Sequence, residues 1–184
     1  MSSFSVCVYC GSRSGIDEAY HLAATQLGAA LAGARMRLVY GAGDVGLMGA
    51  VARAAQDANA ETFGVIPTHL LRQEAGKRDL TTFVVTETMH ERKKVMFMNA
   101  DAVVVLPGGA GSLDEFFEVL TWRQLGLHTK PIFLLNIKGY WTPLLAALDH
   151  MVNQGFAESS LLGFFTVIDD VPTLMTALER AQKA

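Results

Sequence analysis

Short apolar runs alternating with stretches of helical period constrain this chain more than any other feature. The runs fall at 5–10, 37–40, 62–66, 82–86, 102–106, 131–135 and 165–168, and the helical stretches at 16–32, 47–59, 89–100, 113–125, 141–154 and 171–182. The runs are nearly continuous in apolar residues rather than alternating, as strands buried on both faces require. Strand–helix alternation implies right-handed crossovers and a mostly parallel sheet covered on both sides. The expected fold class is therefore α/β, a Rossmann-like three-layer arrangement with a mostly parallel central sheet of about seven strands. With 184 residues, 51% of them apolar, the chain has core enough for one domain spanning 1–184, and disorder is excluded.

A formal charge of −3 and the lack of a basic tract give no electrostatic case for a nucleic-acid partner. No apolar run reaches membrane-spanning length and no signal peptide opens the chain, so no membrane partner and a cytoplasmic location are expected. Cys7 and Cys10 read as CxxC. Three positions apart in a strand, they point to opposite faces, which argues for free thiols in a reducing compartment rather than a shared metal or redox role. The histidines show no metal spacing, and neither metal nor cofactor is expected. The polar segment 67–80, carrying Arg72, Lys77 and Arg78, reads as a mobile flap or as a short helix and loop.

Ligands of open parallel sheets bind beyond the carboxyl ends of the strands. Three glycine-bearing turns leave strands at that edge: 11–15, 41–46 and 108–111. Gly41, Gly43 and Gly46 match GxGxxG, but Glu61, at the spacing of a ribose-binding acid, begins a strand rather than ending one and so lies at the wrong edge. The glycines there suit a single nucleotide phosphate or ribose contact, or merely tight turning. The run Pro107-Gly108-Gly109-Ala110-Gly111-Ser112-Leu113-Asp114-Glu115 sits between a strand and a helix, where bare N–H groups can meet an anion at the positive helix end. Ser112 and Glu115 also fit a capping box, with Ser112 as N-cap. Against that, Glu115, Glu118 and Trp122 share one helical face, opposite Leu113, Phe116, Phe117 and Leu120. The acidic face, with its tryptophan, then looks into a cleft or toward a partner.

Arg92 shares a face with Met89, Val95, Met96 and Asn99, and an arginine there calls for an anionic partner, either Glu115 or a ligand phosphate. Lys93 and Lys94 read as solvent-facing, His90 as a modest rim candidate, and Asp169-Asp170 as the cap of the last helix.

Together these motifs resemble the LOG ("Lonely Guy") family of nucleoside 5′-monophosphate phosphoribohydrolases, whose members are often labelled lysine decarboxylases. The pattern PGGxGTxxE is matched at 107–115, with Ser112 keeping the hydroxyl of the threonine. An arginine-lysine pair after Met-His is matched by Met89, His90, Arg92 and Lys93. The turn ending Gly-Leu-Met-Gly is matched by Gly46 to Gly49, with Ala42 and Gly43 preceding it, and Cys10-Gly11-Ser12 resembles the first phosphate-side loop.

The resemblance implies hydrolysis of the N-glycosidic bond of purine nucleoside 5′-monophosphates, of the cytokinin or adenine type, giving free base and ribose 5-phosphate. It implies a catalytic pair at Arg92 and Glu115. Ser12, Gly43, Gly46, Met89, Lys93, Gly108, Gly109, Gly111, Ser112 and Glu118 would bind substrate, and the assembly would be a homodimer. A carboxylate beside the anomeric carbon suits such a reaction independently, because its interaction grows as oxocarbenium charge develops. The other readings are a non-catalytic nucleotide sensor or carrier, and a dinucleotide-binding oxidoreductase.

Overall fold

The computed structural model describes residues 3–71 and 78–184. Seven strands form one sheet: β1 (Ser5–Tyr9), β2 (Arg37–Tyr40), β3 (Thr62–Pro67), β4 (Thr82–Thr86), β5 (Ala102–Val105), β6 (Ile132–Leu135) and β7 (Thr166–Ile168). Between and after them run α1 (Glu18–Gly33), α2 (Gly46–Asp57), α3 (Thr68–Leu71), α4 (Met89–Met98), α5 (Ala110–Gln124), α6 (Thr142–Asn153) and α7 (Val171–Gln182). Every strand pair is parallel, and the order is β4-β3-β2-β1-β5-β6-β7. The expected mostly parallel sheet is thus wholly parallel. The short helix α3 falls at the start of the 67–80 segment, in keeping with its reading as a short helix and loop, whereas the 3-10 segments Ile137–Gly139 and Ser159–Gly163 are additions that no apolar period announces. Of the 67–80 segment, residues 72–77, including Arg72 and Lys77, lie outside the described residues.

The strand order fixes where a ligand can sit. The chain moves outward from β1 to β4, then returns to the other side of β1 and continues outward from β5 to β7. The reversal falls between β1 and β5, where the loops leaving the two carboxyl ends diverge and open a crevice. Side chains from β1 divide between two cores. Val6, Val8 and Cys10 pack with α1, α2 and α7, whereas Cys7 and Tyr9 pack with α4, α5 and α6. The two cysteines are buried and free and face opposite layers, as their spacing requires. Burial pushes both thiols well above the ordinary thiol range, so neither is poised as a nucleophile. No helix among the described residues is long and apolar enough to cross a membrane.

Helices α1 and α2 meet backbone to backbone. A Cβ on Gly28 would lie 2.3 Å from the Val51 carbonyl oxygen and 2.9 Å from the Ala55 nitrogen. Gly28→Ala would ordinarily stabilise a helix by about 0.5–1 kcal/mol. Here the atoms in the way are backbone and cannot step aside, so overpacking outweighs propensity, and we expect a net loss of about 1–3 kcal/mol in chemical denaturation. An unchanged midpoint would contradict this close contact.

Candidate active site

A cavity of about 520 Å³ occupies the crevice at the switch point. It is lined by the loops after β1 and β5, by Gly41 and Met48, and by Met89, Arg92 and Met96 of α4. Tyr20 and Tyr140 close the near end. The two loops are tied together, since the Gly11 N–H donates to the Pro107 carbonyl over 3.0 Å, and the Gly11 carbonyl accepts from Leu47 N–H at 3.1 Å.

Helix α5 begins earlier than its apolar period suggests. Gly109 is its N-cap, with no side-chain cap, and Ser112 lies buried inside the first turn. The Ser112–Glu115 capping box is therefore not formed, and Glu115 is free of that structural role. The box in this region belongs to α4 instead. There Thr88 Oγ1 accepts from Glu91 N–H at 3.2 Å, and Glu91 Oε2 accepts from the N–H groups of Thr88 and Glu87 at 3.0 and 2.9 Å. At the uncapped start of α5, the backbone N–H groups of residues 108–112 find no acceptor among the described residues. A Cβ on Gly109 or Gly111 would meet nothing within 4 Å, so at both positions the cavity side of the chain is bare. On Gly108 it would lie 2.1 Å from Ser112 Oγ, so glycine here lets the hydroxyl close on the turn. Free amides at the positive end of a 15-residue helix make a seat for an anion.

Arg92 and Glu115 both line this cavity. Arg92 is buried, and two backbone carbonyls hold its guanidinium. Nε donates to Val65 O at 3.1 Å and Nη2 to Gly41 O at 2.8 Å, while Nη1 is turned toward the Met89 sulfur at 3.9 Å. Of the two anionic partners expected from sequence, Glu115 is not paired with it directly, for no carboxylate among the described residues lies within 4.0 Å of Arg92. Glu115 likewise has no hydrogen-bond partner among the described residues. Burial pushes its carboxyl up to about 7; the Arg92 charge opposes this, and Asp114 adds to it. The result is a carboxyl that titrates near neutrality, facing a cation fixed by carbonyls, at the edge of a row of open amides.

The other residues singled out from sequence divide. Ser12, Met89, Gly108, Gly109, Gly111 and Ser112 line the cavity; Gly43, Gly46, Lys93 and Glu118 do not. Gly46 is needed for the turn, with φ +60° and a Cβ position 2.3 Å from the Ser12 carbonyl carbon; a Cβ on Gly43 would strike Met48. Lys93, expected to face solvent, is buried. Its Nζ donates to Asp114 Oδ2 at 2.9 Å and pairs with Glu118 Oε1 at 3.2 Å. Burial works against its charge, but the two carboxylates outweigh that and hold its pKa above the ordinary lysine value.

Lys93 thus offsets part of the charge of the two carboxylates that bracket Glu115. Trp122 does not look into the cleft but packs edge-on against Phe97, with ring centres 5.0 Å apart. His90 is exposed and does not line the cavity. Glu61 sits at the opposite edge of the sheet, where it accepts from Ser3 Oγ at 3.0 Å. Asp170 caps α7, accepting from Thr173 N–H at 2.8 Å.

Sequence reasoning missed Arg13, Tyr20, Asp114 and Tyr140, all of which line the cavity. The carboxyl-edge rule could have found Tyr140, since it follows β6 by five residues. Nothing local marks Tyr20, which reaches the site from the first turn of α1, capped by Asp17.

Comparison with known proteins agrees with this geometry. A family model described as "possible lysine decarboxylase" matches residues 48–178. The chain is 41% identical over 174 residues to cytokinin riboside 5′-monophosphate phosphoribohydrolase LOG2 of Arabidopsis thaliana, covering 95% of this chain and 82% of that protein. It is 44% identical over 174 residues to probable cytokinin riboside 5′-monophosphate phosphoribohydrolase LOGL9 of Oryza sativa subsp. japonica, covering 95% and 77%. Among solved structures, the molybdenum cofactor carrier protein of Chlamydomonas reinhardtii superposes with a TM-score of 0.76 at 19% identity over 100% of both chains, a likeness of fold alone. Matched by the family model over most of its length and by these relatives over nearly all of it, the chain belongs to the LOG family of phosphoribohydrolases, the family whose model carries the lysine decarboxylase description.

Proposed function

We propose that this protein hydrolyses the N-glycosidic bond of purine nucleoside 5′-monophosphates, adenine or N6-substituted adenine nucleotides, releasing free base and ribose 5-phosphate. The observation that carries this reading is the pairing, in one cavity, of an unpartnered carboxyl and a fixed guanidinium with open amides at a helix start. The amides and Ser112 hold the 5′-phosphate and so position the scissile bond. Ionised Glu115 stabilises the developing oxocarbenium charge and orients water, while Arg92 orders the ribose.

The decarboxylase description fits these residues poorly. No lysine among the described residues lines the cavity, and the nearby Lys93 is held as an ammonium by Asp114 and Glu118, so no free amine stands ready for a Schiff base. Dinucleotide binding is disfavoured by Glu61, which lies at the far edge of the sheet. We further propose a cytoplasmic homodimer. The two free thiols suit a reducing compartment, and Met98, 66% exposed at the end of α4, suits a covered face. Phe97 adds nothing to that face, being covered by its own chain's Trp122 and His128. Light scattering at micromolar concentration tests the assembly.

A panel of nucleoside 5′-monophosphates, assayed for free base without added metal or cofactor, tests the activity; no base from any of them would refute it. The unphosphorylated nucleoside makes the sharper comparison. Charge-assisted hydrogen bonds contribute about 1.5–3 kcal/mol each, so losing two of them lowers kcat/KM for adenosine by about 10²–10⁴ relative to AMP. Equal values for the two substrates would remove the role given to the start of α5.

A further inference from the structure

We propose that Tyr140 is a positioning residue for the anion seat: its hydroxyl pins the peptide between Gly108 and Gly109, aims the Gly109 N–H into the cavity, and so sets the preference for phosphorylated over unphosphorylated nucleosides. This rests on the reading of the site as a nucleotide hydrolase and adds to it a residue from a separate part of the chain.

The geometry is specific. Tyr140 Oη donates to the Gly108 carbonyl at 2.7 Å, across 32 residues of sequence. The peptide bonds are trans, so the carbonyl of residue 108 and the N–H of residue 109 point in opposite directions across one plane. A bond that fixes the carbonyl also fixes the amide. Packing of Gly108 against Ser112 and Gly11 holds one end of this peptide, but no other hydrogen bond among the described residues fixes its plane. Gly108 and Gly109 carry no side chains, and around a Cβ at Gly109 there is nothing within 4 Å.

Tyr140 is itself firmly delivered. The turn after β6 runs through two successive left-handed residues, Lys138 at φ 54° and Gly139 at φ 71°, a conformation that a lysine adopts only under constraint. Asn136 Oδ1 then accepts from Trp141 N–H at 2.7 Å and sets the start of α6. The Tyr140 ring stands edge-on between Tyr20, at 5.4 Å, and Trp141, at 4.8 Å. The phenol is thus a strut between the loops after β6 and β5, with its oxygen on the carbonyl side of the peptide whose N–H belongs to the anion seat.

The test is Tyr140→Phe, which removes one oxygen from a side chain that is 37% exposed. Loss of one hydrogen bond that orders an amide predicts a rise of about 3–10-fold in KM for AMP, with kcat within about twofold. The kcat/KM for adenosine should stay at the wild-type value, because the nucleoside does not use the seat. The AMP-to-adenosine ratio is internal to each preparation, so a partly folded sample does not disturb it. Tyr140→Ala, which also lacks the hydroxyl, must lose the same selectivity. An unchanged ratio in Tyr140→Phe, or an equal loss on both substrates, overturns the proposal.

Calorimetry with ribose 5-phosphate separates this from the parent reading. Should the wild-type protein turn over no monophosphate, the hydrolase reading fails, and weaker ribose 5-phosphate binding in Tyr140→Phe still supports the strut. Equal binding by the two proteins overturns it.

Discussion

Glu115→Gln is expected to lose turnover by at least about 10²–10³-fold while the protein stays folded and still binds nucleotide. The change swaps one oxygen for nitrogen and keeps the shape. Glu115 makes no capping bond, since α5 starts at Gly109, so nothing structural depends on its charge. On the proposed mechanism, what is lost is the negative charge that faces the anomeric carbon, and the group that orients water. The same substitution should raise stability. The folded Glu115 carboxyl titrates near 7, above its ordinary value of 4.5. Between those two values the folded protein keeps a proton that the unfolded chain has released, so stability falls as pH rises through that window. The loss is complete above it.

Glutamine removes this dependence, and at pH 8 the variant should exceed the wild type by on the order of 2 kcal/mol, with the gap closing by pH 4. For the wild-type enzyme the same titration gives the acid limb of the rate profile, with kcat/KM rising as pH increases through about 7. Denaturation at the two pH values, with an assay on each protein, checks both halves. Near wild-type kcat in Glu115→Gln would mean that the carboxylate is not part of the chemistry.

The five inner strands were legible because they are buried on both faces, the partly exposed edge strands β4 and β7 because they are still apolar runs, and the observed ends differ from those runs by at most one residue, as at Tyr9, Pro67 and Val105. The start of α5 was not legible. Gly-Gly-Ala-Gly has poor helix propensity, yet the bond from Gly11 N–H to Pro107 O and the buried Ser112 fold it into the first turn. Arg92 was found from its helical face, but the groups that hold its guanidinium were not foreseen. They are main-chain carbonyls of Val65 and Gly41, 27 and 51 residues away, and carbonyls carry no sequence signal. Lys93 was misread for a related reason. Its inward turn depends on Asp114 and Glu118 arriving on a different helix, a pairing that only the tertiary structure creates.

Gly41→Ala should separate the placement of Arg92 from its presence. A Cβ at Gly41 would stand 1.9 Å from Arg92 Nη2 and 2.9 Å from Cζ. The atom in the way is the far end of a flexible side chain, so the guanidinium yields rather than the backbone. Stability then falls only by what the displaced hydrogen bonds contributed, about 1–3 kcal/mol, or several degrees in Tm for a chain of this size. Activity falls much further. A displacement of about 1 Å in a positioned group costs on the order of 10²-fold in rate, and Arg92 here loses both carbonyls that aim it. The residual activity carries a second signature. Arg92 holds the Glu115 pKa down against burial, so moving its charge away shifts the acid limb of the rate profile to higher pH. Gly163→Ala, where a Cβ meets nothing within 4 Å, is the control and should behave as wild type. A Gly41→Ala enzyme with full turnover and an unmoved pH profile would show that the chemistry does not need Arg92 where these two carbonyls hold it.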